Sequence, residues 1–192
     1  MAFDKAILSS LTRRFEPNNY LRCTPWSHCA TPLGMGYGQT RFASPADSFK
    51  LLYIAADLAT AIAETIVRDR FEGASVRQLD IMDIQPWGVC EVDATVPVRV
   101  LDLRGDGCFK LGISTDIIGA KAHSESRAFA QDLYDTTDLD GILYSSRLRK
   151  RNCVAVFDRS VPGHLVAKPV VPIETLVQLV PALKLLKVKL QS

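Results

Sequence analysis

Phe49-Lys50-Leu51-Leu52-Tyr53-Ile54-Ala55-Ala56-Asp57-Leu58-Ala59-Thr60-Ala61-Ile62-Ala63-Glu64 is the stretch on which the fold turns. Its first half, Phe49 to Ala55, is a mostly apolar run bounded by turn formers, which predicts a strand. Asp57 then offers a carboxylate to the free amides of a first helical turn, so a helix is expected from Asp57 to about Phe71. That strand-to-helix unit does not repeat along the chain. Downstream, Val76–Ile84, Gly88–Ala94 and Val98–Leu103 read as successive strands. A helix follows over Ala122–Asp135, then strands over Gly141–Tyr144 and Cys153–Phe157. The tail predicts a strand near Leu165–Val170 and an element of open type over Thr175–Leu190. Upstream, Phe3, Ile7, Leu8 and Leu11 recur at helical spacing, so residues 4–15 are expected to be a helix. Residues 16–40 read as irregular, ending in the glycine loop Leu33–Thr40, with a short strand at Thr40–Phe42. Strands and helices do not alternate regularly, which predicts an α+β domain and not a doubly wound sheet.

The 192 residues suit one domain, and 47% hydrophobic with 23% charged residues is an ordinary globular balance. Residues 1–19 form the expected N-terminal helix region, 20–158 the core that bears the motifs, and 159–192 a C-terminal extension of the same domain. A net charge of +2 is too mild for direct nucleic-acid binding. The run Arg147-Leu148-Arg149-Lys150-Arg151 is either a solvated turn between two strands or a patch facing an anion or a partner. The five cysteines include no CxxC pair, which points to reduced structural thiols and a cytoplasmic protein. The first residues carry Asp4, Lys5, Arg13 and Arg14 and do not read as a signal peptide. The apolar C-terminal stretch is broken by Lys168, Pro169, Pro172, Glu174 and Pro181, so no membrane span is expected.

Read locally, several residues carry two meanings. Gly34, Gly36 and Gly38 could let backbone amides approach phosphate oxygens, yet the loop lacks the preceding strand and following helix of a dinucleotide-binding turn. Arg41 is either solvated or placed to fork onto a phosphate. Glu64 shares a narrow polar sector of an otherwise apolar helix with Asp57, Thr60 and Arg68. It is either half of an exposed Glu64–Arg68 pair at i, i+4 or a carboxylate aimed into a cleft. Tyr53 alternates to the face opposite Leu52 and Ile54, as core or as site. Ser145 and Ser146 could be turn chemistry alone. No Ser-His-Asp arrangement, HExxH, Walker A or other metal motif is legible, so no metal is expected.

In order and spacing the pieces resemble the RES domain, the toxin family of a bacterial toxin–antitoxin system. They are Leu21-Arg22, Gly34 to Gly38, Arg41-Phe42, Leu52-Tyr53-Ile54-Ala55 and Thr60-Ala61-Ile62-Ala63-Glu64. Gly141-Ile142-Leu143-Tyr144-Ser145-Ser146-Arg147 and the apolar Cys153–Phe157 complete the set. The match runs over roughly residues 20–158. Leu21 stands where the family has an aromatic, and Ser145 where it has proline. Alignment on Tyr144 and Arg147 makes Ser146, over Ser145, the family serine. The resemblance implies an ADP-ribosyltransferase-like fold with a split, mostly antiparallel central sheet flanked by helices. It implies cleavage of the nicotinamide–ribose bond of NAD, by hydrolysis or phosphorolysis, with NAD as substrate. Glu64 and Arg41 would be catalytic, and Arg41, Tyr53, Ser146 and Arg22 would hold NAD. The implied partner is a small helix-turn-helix, Xre-like antitoxin, in a complex that could include a toxin homodimer. Transfer of ADP-ribose to a protein, an inactive binding module and an exported effector are the other readings of the same residues.

Overall fold

The computed structural model describes residues 3–191. In chain order the elements are α1 (Lys5–Leu11), β1 (Thr12–Phe15), β2 (Tyr20–Pro25), β3 (Leu51–Ala55), α2 (Leu58–Ile62), β4 (Gln78–Asp80), α3 (Ile81–Ile84), β5 (Trp87–Ala94), β6 (Val98–Asp102), α4 (Gly107–Leu111), α5 (Asp116–Gly119), α6 (Ser124–Thr136), β7 (Gly141–Ser145), β8 (Asn152–Phe157), α7 (Val161–His164), β9 (Leu165–Ala167), β10 (Val171–Pro172), α8 (Leu179–Leu185) and β11 (Lys189–Gln191). A single π-helical turn, Ala63–Val67, continues α2.

Nine strands form one sheet in the order β1-β6-β7-β8-β3-β2-β5-β10, with β9 also on β5. Every pairing in it is antiparallel except β6 with β7. β4 and β11 make a separate parallel pair. The α+β class expected from the sequence pattern and the mostly antiparallel sheet implied by the family resemblance are the observed ones. Period-2 alternation sorts the core onto two faces. Leu51 and Ala55 of β3, with Cys153, Ala155 and Phe157 of β8, pack on the face covered by α2, α6 and α8. Leu52 and Ile54, with Val154 and Val156, pack on the opposite face against Cys29, Leu33 and Met35 of the glycine-loop segment. Burial on both faces is why these strands read as continuous apolar runs. Gly141 lets β7 approach β8 closely, since a Cβ there would lie 2.2 Å from the Ala155 carbonyl oxygen.

The joint between β2 and β3 shapes the site. β2 pairs with β5 over six positions, from Tyr20–Val92 to Pro25–Trp87. It meets β3 at one pair only, Leu21–Ala55, and the two strands then part. The sheet is split there, and a cavity opens in the gap.

Several expectations need correction. The helix expected over residues 4–15 ends at Leu11, and Thr12–Phe15 is an edge strand on β6. Residues 16–40 contain β2, which the sequence reading missed because its pairing partner lies some seventy residues away. Thr40–Phe42 is a turn and not a strand. The long strand expected over Val76–Ile84 is three residues followed by the short helix α3. The helix expected to reach Phe71 ends at Val67, after the π turn. The strand expected over Leu165–Val170 stops at Ala167, and Thr175–Leu190 holds α8 and the start of β11. In each case a non-local pairing or a terminal turn overrode a local pattern.

Candidate active site

The gap between β2 and β3 holds a cavity of about 290 Å³. Arg22 and Cys23 of β2 form one wall and Leu51 and Tyr53 of β3 the other. Glu64, Thr65 and Arg68 close one end, and Arg41, Tyr144 and Trp87 are also on the lining. A second cavity of about 520 Å³ adjoins it, sharing Arg22, Thr40 and Tyr53 and reaching the Gly34–Gly38 loop and Lys50. Together they give an elongated cleft of the size class that takes small-molecule ligands, mostly apolar with a few convergent polar groups.

Glu64 sits on the π turn, half-buried, at the wall of the first cavity. π turns are rare and recur at functional sites because the extra residue re-aims side chains. Asp57 starts this helix as expected: its carboxylate accepts from the Thr60 amide and hydroxyl, each at 2.8 Å. Glu64 makes no ion pair with Arg68 among the described residues. Its Oε1 instead accepts from the Ser146 hydroxyl at 2.5 Å. Ser146 is completely buried, and its Oγ in turn accepts from the amides of Leu148 (3.2 Å) and Arg149 (3.1 Å). The hydroxyl is therefore committed in every direction. It stands behind Glu64 and fixes it, and it is not part of the cavity wall. Ser145 pairs with Asn152 in the β7–β8 ladder instead.

Arg41 lies on the turn that carries residues 40–42, and its Nη1 donates to the Ala120 carbonyl at 2.7 Å. Burial lowers its pKa, while Tyr144 and Glu64 oppose that shift. Tyr53 fixes the same turn. Its phenol oxygen accepts from the Thr40 hydroxyl (3.0 Å) and the Phe42 amide (3.1 Å), and burial raises its pKa. Arg22 reaches across β2 to the glycine loop, donating to the carbonyls of Pro32 (2.9 Å) and Gly34 (2.5 Å). The arginine thus shapes the loop as well as lining both cavities. Gly34 has no room for a side chain, because a Cβ would fall 2.7 Å from Thr31 Oγ1. Gly36 and Gly38 are unconstrained in this respect.

Residues 11–178 match the family model of the RES domain. The chain belongs to the RES domain family. It is 32% identical over 85 residues to the probable toxin y4kH of Sinorhizobium fredii, an alignment covering 44% of this chain and 67% of that protein. Its fold is similar to a chain in the crystal structure of the M. tuberculosis MbcT–MbcA toxin–antitoxin complex. The TM-score is 0.65 at 18% identity, over 88% of this chain and 93% of that one.

In this RES domain the structure brings together Arg22, Arg41, Tyr53 and Glu64 on one cleft, with Ser146 directly behind Glu64. Other residues of the cleft were not singled out from the sequence. Tyr144 is buried beneath Phe42, ring to ring at 5.2 Å, and served only as an alignment mark. Trp87 begins β5 at the cleft wall, and nothing local distinguishes it from core. In the sequence Arg68 stands out only as an i, i+4 partner for Glu64. Cys23 also faces the cavity, and burial pushes its thiol up to about 12, which favours the neutral thiol. His123, assigned no role from its neighbours in sequence, joins Arg41, Glu64 and Arg68 at a small recess at the cleft end. Among the described residues no cluster of His, Cys, Asp and Glu could hold a metal ion. No helix among them is long and apolar enough to cross a membrane. The basic run after β7 is a turn in which Arg147 pairs with Asp69 (2.5 Å) and Arg151 with Asp57 (3.2 Å).

Proposed function

We propose that this RES domain is the toxin of a toxin–antitoxin system and that it destroys NAD by breaking the nicotinamide–ribose bond. The observation that carries the reading is the Glu64 carboxylate, clamped by a buried serine at the wall of a cleft that Arg22, Arg41 and Arg68 also line. Departure of neutral nicotinamide leaves positive charge on the ribose. A carboxylate already held in place stabilises that charge more in the transition state than in the ground state, without reorganising at the moment of reaction. Glu64 faces the ribose, Arg41 holds the phosphates or the adjacent ribose, and Tyr53 packs or hydrogen-bonds at the nicotinamide. Arg22 shapes the loop that borders the dinucleotide. Ser146 acts through Glu64 and is a positioning residue. Water or inorganic phosphate then accepts the ADP-ribosyl group. A cognate antitoxin, a small helix-turn-helix protein of Xre type, holds the enzyme inactive in the bacterial cytoplasm by covering the cleft. The toxin name of y4kH and the complex in which MbcT is found support that partnership.

Incubating purified protein with NAD, with and without phosphate, tests the reaction. Nicotinamide is expected in both, or only with phosphate if phosphorolysis dominates. Glu64→Gln is expected to lose about a hundredfold or more in turnover. Label from NAD on a protein, with no free ADP-ribose or its phosphate, would turn the assignment to ADP-ribosyl transfer. Equal toxicity of Glu64→Gln and wild type on expression would remove the enzymatic reading.

A further inference from the structure

Arg68 occupies a backbone position that suits glycine. It follows the π turn, its amide donating to the Ala63 carbonyl at 2.8 Å, with φ 34° and ψ −115°. The next hydrogen bond, from the Arg70 amide to the Val67 carbonyl at 2.8 Å, closes a four-residue turn with Arg68 at its first central position. Positive φ with ψ near −120° at that position is type II′ geometry, where glycine dominates because a Cβ is strained. A long side chain held there carries a conformational cost that packing at Arg68 does not explain, since the residue is exposed. Such outliers cluster at active sites and ligand clamps.

What the side chain meets is informative. Asp69 is paired with Arg147, Arg70 with Asp83, and Glu72 with Lys121. The Arg68 guanidinium, in the midst of these, has no hydrogen bond or ion pair among the described residues. It lines the reaction cavity with Glu64 and Arg41, and also the recess beside His123. Arg41, its neighbour across the recess, already gives one N–H to Ala120. Two guanidinium groups with free donors thus converge on the end of the cleft where Glu64 stands.

We propose that Arg68 is a phosphate-binding residue, its fork directed by the strained turn onto an oxyanion at the mouth of the cleft. The inference rests on the NAD-cleaving reading for its natural ligand. That ligand is the diphosphate of the dinucleotide or the free phosphate that accepts ADP-ribose, and both present the same tetrahedral oxyanion to a bidentate donor.

The test uses Arg68→Gly, Arg68→Lys and wild type. Glycine adopts the turn without strain, so Arg68→Gly is expected to melt at a temperature equal to or above wild type while weakening oxyanion binding. A KM for NAD raised about ten- to a hundredfold, with kcat changed much less, identifies the diphosphate. The same rise in the KM for phosphate, with that for NAD unchanged, identifies the acceptor. Arg68→Lys, which keeps the charge and loses the fork, should recover part of the loss. Inorganic pyrophosphate, tested by thermal shift, is the probe that does not depend on turnover. It should stabilise wild type and not Arg68→Gly. If wild type fails to cleave NAD but shows this Arg68-dependent stabilisation, the NAD reading falls and the anion site stands. If Arg68→Gly leaves both KM values and the pyrophosphate shift unchanged, or if it melts well below wild type, the proposal is overturned.

Discussion

Replacing Ser146 with alanine separates a serine that touches the ligand from one that holds the carboxylate. The hydroxyl makes three hydrogen bonds, one donated to Glu64 and two accepted from the Leu148 and Arg149 amides. A hydrogen bond to a carboxylate contributes about 1.5–3 kcal/mol. If that energy serves to hold Glu64 in its productive rotamer, its loss slows turnover by about ten- to a hundredfold, at about 1.4 kcal/mol per decade. The KM for NAD should move little, because Ser146 is completely buried behind Glu64. The two orphaned amides cost about 0.5–1.5 kcal/mol each, about 1–3 kcal/mol together, which in a domain of this size lowers Tm by roughly 2–12 °C. The assay is nicotinamide release over a range of NAD concentrations, run well below the melting temperature of the variant so that the folded fraction is constant. Ser145→Ala, which removes a side chain from the ladder residue next door, should stay within about twofold of wild type. Two results would refute the reasoning: a Ser146→Ala defect confined to KM, or a larger kcat defect in Ser145→Ala than in Ser146→Ala.

Two further expectations concern stability. Gly34→Ala forces a Cβ to within 2.7 Å of Thr31 Oγ1 and 2.9 Å of its carbonyl oxygen. It should therefore cost about 1–3 kcal/mol, whereas Gly36→Ala, with open space around it, should be close to neutral. Melting curves of the two variants decide this, and equal Tm values would show that the loop is looser than described. His123 titrates below its ordinary 6.5, chiefly through burial and with help from Arg41 and Arg68, against the Gln39 carbonyl and Asp69. The unfolded chain then takes up this proton at a higher pH than the folded one. Stability is full above about pH 6.5 and declines as the pH falls toward the folded value. Wild type should thus lose more Tm than His123→Gln between about pH 7.5 and about pH 5.5, and parallel Tm–pH curves would exclude a contribution from His123.

Much of the fold was legible because its signals are local. The apolar run Leu51–Ala55, the Asp57 cap and the strands Gly141–Ser145 and Asn152–Phe157 each carry their own pattern of hydrophobicity and turn chemistry. The elements missed or misjudged were those whose state depends on a distant partner. β1 needs β6, β2 needs β5 across some seventy residues, and β11 needs β4. The same division runs through the site. Glu64 and Arg41 stand out in the sequence only by type and spacing, and Glu64 could equally have paired with Arg68 on a solvated helix face. Three tertiary facts decided the matter. The strands β2 and β3 part after one pair, opening a cavity beside them. The helix takes an extra residue at Ala63–Val67. A serine 82 positions away arrives beneath the Glu64 carboxylate. The α+β class and a set of candidate site residues were legible from the amino-acid sequence alone, because periodicity, caps and side-chain type are properties of short segments. That Ser146 stands behind Glu64, and that the Arg68 guanidinium lines the cleft with no partner among the described residues, follows from tertiary structure alone, because a hydrogen bond across the chain and a backbone strained against its own side chain exist only once the sheet is assembled.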